Sequence, residues 1–173
     1  VSGRNNADWG TARNMQRLVD TAAAPPGVSV DGLSRLPQEA MSFSSQDRLV
    51  GDVGAAAIGR ELAKNTSLEN LDLNGNMVGD NGAAAIGYAL AANTALQTLD
   101  LSVNEIGAAG AAVIGQGLAS NTTLQALDLQ NNEIGAAGAA AIGQGLATNK
   151  SIKTFNGFDI SPIWGTGKDY SST

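Results

Sequence analysis

Leucines recur along this chain at a spacing that alternates between two periods. In residues 68–95, Leu71 and Leu73 flank Asp72 with the two-residue alternation of a short half-buried strand, its leucines pointing inward. Further on, Ile86 and Leu90 stand four apart, as on one face of a helix. Shifting the sequence by 28 residues superimposes Leu68, Leu71, Asp72, Leu73 and Asn76 on Leu96, Leu99, Asp100, Leu101 and Asn104, then on Leu124, Leu127, Asp128, Leu129 and Asn132. The helical pair repeats likewise as Ile114/Leu118 and Ile142/Leu146. The pattern predicts three consecutive strand, turn and helix units at 68–95, 96–123 and 124–151. A degenerate unit precedes them at 40–67. It keeps the Val50-Gly51, Gly54 to Gly59 and Asn65-Thr66-Ser67 columns, while Ala40, Phe43 and Ser45 stand where leucines are expected. A fifth unit starts at Ile152 and Phe155 and then loses the pattern.

Each column has a predicted physical task. Asn76, Asn104 and Asn132 follow the strand, where a buried amide can satisfy backbone groups that the turn leaves unpaired. Val78, Ile106 and Ile134 add an apolar residue before the helix. At about 100° per residue from Ile86, the positions Gly82, Ala83, Ala89 and Leu90 fall on the inward face, with Gly87 and Ala85 on opposite flanks. The glycines at 59, 87, 115 and 143 are therefore expected to face Ala57, Ala85, Val113 and Ala141 of a neighbouring repeat. A helical glycine costs about 0.5–1 kcal/mol relative to alanine, so its fourfold recurrence points to helices packed closely side by side. Asn65, Asn93, Asn121 and Asn149 end the helices and are expected in the left-handed conformation that often terminates one. Asn65, Asn121 and Asn149 also match the N-x-S/T acceptor pattern, a match that the repeat generates automatically.

The unit L-x-x-L-D-L-x-x-N-x-I-G, followed by G-A-A-A-I-G and L-A-x-N-T, resembles the ribonuclease-inhibitor-type leucine-rich repeat found in nucleotide-binding innate-immune receptors and in many protist and bacterial proteins. The resemblance covers about residues 40–155. It implies an α/β solenoid: a short horseshoe arc of about four repeats plus terminal caps, with a parallel sheet on the concave side and helices on the convex side. Members of this family act mainly by binding other proteins. One branch promotes the reaction of the Ran GTPase, and no residue pattern here singles that branch out. The outer helix face departs from the family, which usually carries Lys and Glu there. This chain instead has Ala84, Ala112, Ala140, Ala91, Ala119 and Ala147, with Tyr88, Gln116 and Gln144 between them.

Composition narrows the chemistry. The formal charge is −6, and the three regular repeats contain a single cation, Lys150, whereas both flanks are balanced. No basic stripe for nucleic acid exists. Cysteine and histidine are absent, which removes disulfides, thiolate metal sites and the common nucleophile-base pairs. No cofactor or metal site is expected, and no apolar run reaches the ~18 residues of a membrane span. Gly165 to Lys168 lacks the spacer of a phosphate loop, and Asp72 to Asn76 lacks the glycine and terminal Glu of a calcium loop. The compartment is not legible, and the first residue, Val1, is compatible with a processed precursor.

The expected organisation is a flanking segment at 1–39, repeats at 40–151 and a degenerate cap with a tail at 152–173. The first segment carries an amphipathic helix over 6–20, with Asp8 as N-cap, interrupted by Pro25-Pro26-Gly27. Phe155, Phe158, Trp164 and Tyr170 place four of the seven aromatics in the last 22 residues, where they are expected to cap the open end of the core. For function, the expectation is a non-enzymatic interaction module or scaffold with protein partners. If its strands pair in parallel, Asp72, Asp100 and Asp128 stack on the concave face. They serve either as structural consensus residues or as an acidic rail for a cationic partner, beside Asn74, Ser102, Val103 and Gln130. Alternatively the chain is a subunit of a larger assembly. It would then dock through Ala84, Tyr88, Ala112, Gln116, Ala140 and Gln144 on the convex face, together with Trp164 and Tyr170 in the aromatic tail. A carboxylate-dependent hydrolase is the competing enzyme class.

Overall fold

A computed structural model describes residues 41–42 and 50–160. The expected helix at 6–20, Trp164 and Tyr170 lie outside the described residues. The elements run β1 (Met41–Ser42), α1 (Gly51–Leu62), β2 (Asn70–Asp72), α2 (Asp80–Ala92), β3 (Thr98–Asp100), α3 (Ala108–Ser120), β4 (Ala126–Asp128), α4 (Gly135–Thr148), β5 (Thr154–Phe155) and β6 (Phe158–Asp159). The strands form one sheet in chain order. Strands β1 to β5 pair in parallel, and β6 turns back antiparallel on β5.

The 28-residue translation is realised in the ladder itself, with Leu71 opposite Leu99 and Leu99 opposite Leu127. Between sheet and helices lies a continuous core of Leu68, Leu71, Leu73, Ile86, Leu90 and their equivalents in the next repeats. Parallel strands sit about 4.8 Å apart, whereas helices ordinarily pack 8–10 Å apart. Stacking such units makes the helix layer longer than the sheet layer, so the sheet takes the inside of the bend.

Glycine shortens the helix spacing. A Cβ added at Gly59 would come within 2.7 Å of the Ala85 carbonyl oxygen, and one at Gly87 within 2.7 Å of the Val113 carbonyl. Gly115 faces Ala141 in the same way, as the sequence predicts. A second set, Gly117 against the Gly87 carbonyl and Gly145 against that of Gly115, is not evident from the repeat pattern.

Helix N-termini are capped between repeats. Asp52 in α1 accepts hydrogen bonds from the backbone N–H of Gly79 and Gly82 at 2.8 and 2.9 Å. Asp80 in α2 does the same for Gly107 and Gly110 at 2.8 and 2.7 Å. Each carboxylate thus satisfies two orphan donors of the following helix and lies in the positive end of its dipole. Ala108 ends the series because it has no acceptor to offer α4. There the chain enters the helix through left-handed Gly135, φ 63°, instead of the extended glycine that opens α2 and α3.

Several expectations are corrected. Met41, not Phe43, lies opposite Leu71, so strand β1 is offset by two residues from the 28-residue frame that the helix after it keeps. Asn93, Asn121 and Asn149 are extended, with φ near −75° and ψ near 137°, and not left-handed. Their amides are held by the preceding repeat: Asn121 Nδ2 donates to Leu90 O and Asn93 O, while its Oδ1 accepts from Thr123 and Leu124 N–H. Asn93 and Asn149 repeat the pattern. Burial and full use of Nδ2 leave Asn121 and Asn149 closed to glycosylation in the folded chain. Finally, Phe155 packs against the core, but Phe158 is 75% exposed and does not cap it.

The glycine column yields a prediction of opposite signs at equivalent positions. A Cβ added at Gly143 would meet nothing within 4 Å, whereas one at Gly115 would abut the backbone of Ala141. Gly143→Ala should stabilise the chain by about 0.5–1 kcal/mol through helix propensity. Gly115→Ala should destabilise it by about 1–3 kcal/mol through overpacking. Urea unfolding of the two variants checks both signs.

Candidate functional site

The sheet places Asp72, Asp100 and Asp128 directly opposite one another, at the strand spacing of about 4.8 Å. All three are half-buried. Each takes the same main-chain bond, its Oδ1 accepting from the N–H two residues on: Asn74 at 2.9 Å, Ser102 at 2.8 Å and Gln130 at 2.8 Å. This Asx-turn fixes the direction of the carboxylates and turns the chain out of the strand. The structural reading of the aspartates is thereby realised, and the row of like charges is realised with it. Stacked like charges are mildly destabilising, so the Asx bonds offset part of that cost.

The neighbouring candidates form a second line. Asn74 Nδ2 donates to Ser102 Oγ at 2.7 Å, and Ser102 Oγ donates to Asp100 Oδ1. Ser102 is buried at 7% exposure, so it braces the row and does not present itself to a partner, contrary to expectation. Gln130 is exposed, and its Nε2 donates to Asn156 O at 2.8 Å. Val103 is 50% exposed and carries φ 55°. Its equivalents Gly75 and Asn131 have φ 69° and 53°, and both residue types tolerate that region. A β-branched side chain there is strained.

Below this surface Asn104 and Asn132 perform the task expected of their column. Asn104 Oδ1 accepts from Asn76 and Val78 N–H, and its Nδ2 donates to Leu73 O, Leu101 O and Ser102 O. Asn132 Oδ1 accepts from Ile106 N–H, and its Nδ2 donates to Leu101 O. On the opposite side, the expected alanine ridges are present: Ala91, Ala119, Ala140 and Ala147 are exposed, and Ala84 and Ala112 half-buried. Tyr88 is 66% exposed, and Gln116 and Gln144 are exposed beside it. Sheet-face and helix-face candidates therefore occupy two separate surfaces. Among the described residues no group of acids, His or Cys could hold a metal ion, and no helix is long and apolar enough to cross a membrane.

The sequence profile of the family described as Leucine Rich repeat matches residues 64–87, 92–115 and 120–143, one match for each period of the ladder. The chain carries leucine-rich repeats. Its short α/β solenoid is similar to a solved structure titled "Leiomodin-1 Actin-Binding Site 2 (ABS2)", with a TM-score of 0.66 and 20% sequence identity over 83% of this chain and 76% of that one. No curated protein sequence matches this leucine-rich-repeat chain.

Asn156-Gly157 is a feature that the repeat frame concealed. With φ 50° and 78° these two residues make the tight turn joining β5 to β6, and Asn-Gly between apolar residues is a strong local hairpin signal. Asn156 also enters the site, its Oδ1 accepting from Leu129 N–H at 2.8 Å.

The strain at Val103 is open to measurement. Val103→Asn, which copies Asn131, should raise stability by about 1 kcal/mol. A thermal melt of the variant should show a higher Tm.

Proposed function

We propose that this chain is a non-enzymatic protein-interaction module that uses its sheet face to engage a basic partner segment. The observation that carries the reading is the in-register row of Asp72, Asp100 and Asp128, held in one direction by three identical Asx bonds. A rigid strand platform with exposed, varied neighbours such as Gln130 and Val103 supports partner recognition, because little side-chain order has to be imposed on binding. Leiomodin-1's actin-binding site 2 has the same fold, which supports protein binding as a use of such a scaffold. The partner here is chosen by this chain's own acidic row. One helix per 28-residue repeat supports the ribonuclease-inhibitor-like type.

The hydrolase reading is disfavoured by the same geometry. Acid and base roles require carboxylates in differing environments. The three aspartates are alike in being half-buried and in the Asx bond each accepts, although Asp100 also accepts from the Ser102 hydroxyl. A second reading, a subunit docked through the helices within a larger assembly, draws on the exposed Ala91, Ala119, Ala140 and Ala147 with Tyr88.

Neutralising the row without breaking its turns separates these readings. Asn retains the Oδ1 acceptor, so Asp100→Asn with Asp128→Asn should keep the Tm within a degree or two. It should weaken binding of a lysine-rich peptide about tenfold at low salt, the difference shrinking as salt rises. Titration calorimetry across an ionic-strength series reads this directly, and an unchanged affinity removes the acidic row as the binding surface. Ala112→Glu with Ala140→Lys should leave that affinity intact. If instead it releases the chain from a native complex, the helix face carries the contact.

A further inference from the structure

Where each helix hands over to the next strand, the solenoid has an edge unlike either face. A groove of about 360 Å³ opens there across three repeats. Two repeat columns supply most of its polar wall: Thr94, Thr122 and Lys150 in one, Gln97, Gln125 and Lys153 in the other. Among the described residues no acid lines it, although the chain as a whole is acidic. In the second column the equivalent residue one repeat earlier is Glu69, so the edge passes from acid through amides to base along the array.

The side chains are organised toward one kind of ligand. Lys153 Nζ donates to Gln125 Oε1 at 2.8 Å, and Gln125 Nε2 reaches Gln97 Oε1 at 3.4 Å, which holds the ammonium against the groove wall. Lys150 is exposed at the end of the threonine column. The hydroxyls of Thr94 and Thr122, both exposed, lie in the same wall. The loop N–H groups of Thr123, Leu124, Ser151 and Ile152 are spent on Asn121 and Asn149. Available donors are therefore two ammonium groups and the hydroxyls of Thr94 and Thr122, the Ser151 hydroxyl being spent on Asn149 Oδ1, and no guanidinium fork lines the groove. Two separate ammonium groups suit separate monovalent carboxylates, whereas a phosphate dianion favours bidentate donors.

We propose that this groove binds an acidic peptide segment, Lys150 and Lys153 each pairing with a side-chain carboxylate and the Thr94 and Thr122 hydroxyls donating beside them. The inference rests on the reading of the chain as a protein-interaction module, but on residues separate from the aspartate row.

Fluorescence anisotropy on the full chain tests it with labelled hexaglutamate, hexaserine and a phosphoserine-containing hexaserine. Hexaglutamate should bind at least about tenfold more tightly than hexaserine, and Lys150→Gln with Lys153→Gln should remove that advantage. Arg60→Gln with Lys64→Gln changes the net charge equally at another place and should leave binding within about twofold. Equal binding of hexaglutamate and hexaserine, an equal loss in both double variants, or binding of the phosphopeptide without hexaglutamate each overturns the proposal. Asp100→Asn with Asp128→Asn should not reduce hexaglutamate binding, so failure of the groove and failure of the sheet-face reading give different results.

Discussion

Side-chain amides buried between repeats are the constraint on which this structure depends. A solenoid unit cannot close its own turns: the carbonyls leaving one helix have no partners within the repeat, and the N–H groups entering the next strand depend on a side chain. Asn93, Asn121 and Asn149 join both sets, reaching carbonyls of the preceding repeat while accepting from N–H groups of their own. Asn104 and Asn132 do the corresponding work at the strand exit, where their Oδ1 serves the preceding repeat. Leaving such buried groups unpaired costs about 1–3 kcal/mol each, so the amides fix the register from one unit to the next, a directional constraint that non-directional leucine packing does not supply.

From that fixed translation the surfaces follow. Helices held in register approach closely because glycine meets backbone across the contact, and strands held in register stack identical residues. Stacking is why three aspartates become a row, why two lysines end up beside two columns of hydroxyls and amides, and why alanines form ridges. A change at one repeat position alters a line of chemistry, and the irregular members of each line, Val103, Tyr88 and Lys150, give the array its individuality.

Much of this was legible because the translation is written in the chain at 28 residues. The leucine ladder, the strand-exit asparagines and the contact of Gly59, Gly87 and Gly115 with the next helix all follow from superimposing repeats. What was missed lies between repeats or beneath the pattern. The caps from Asp52 and Asp80 join residues 27 and 30 apart, a distance at which no local capping rule looks. Asn121 looks like a left-handed helix terminus until its bonds to the preceding repeat draw it into an extended form. The two-residue offset of β1 is hidden by its lost leucines, and Asn156-Gly157 stands in the columns of Asp128 and Leu129, which masks its hairpin signal. Of the candidate site, the placement of the aspartates was readable, whereas the burial of Ser102 depended on its hydroxyl being shared by Asn74 and Asp100.

The central claim is that buried amides transmit register across repeat boundaries. Hydrogen exchange on Asn121→Leu, which keeps the volume and removes the amide, tests it most directly. The account predicts lost protection at Thr123 and Leu124 and also along β2 and β3, together with a fall of at least about 2 kcal/mol in unfolding free energy. Loss confined to the turn that follows α3, with stability within about 0.5 kcal/mol of the parent chain, would contradict it.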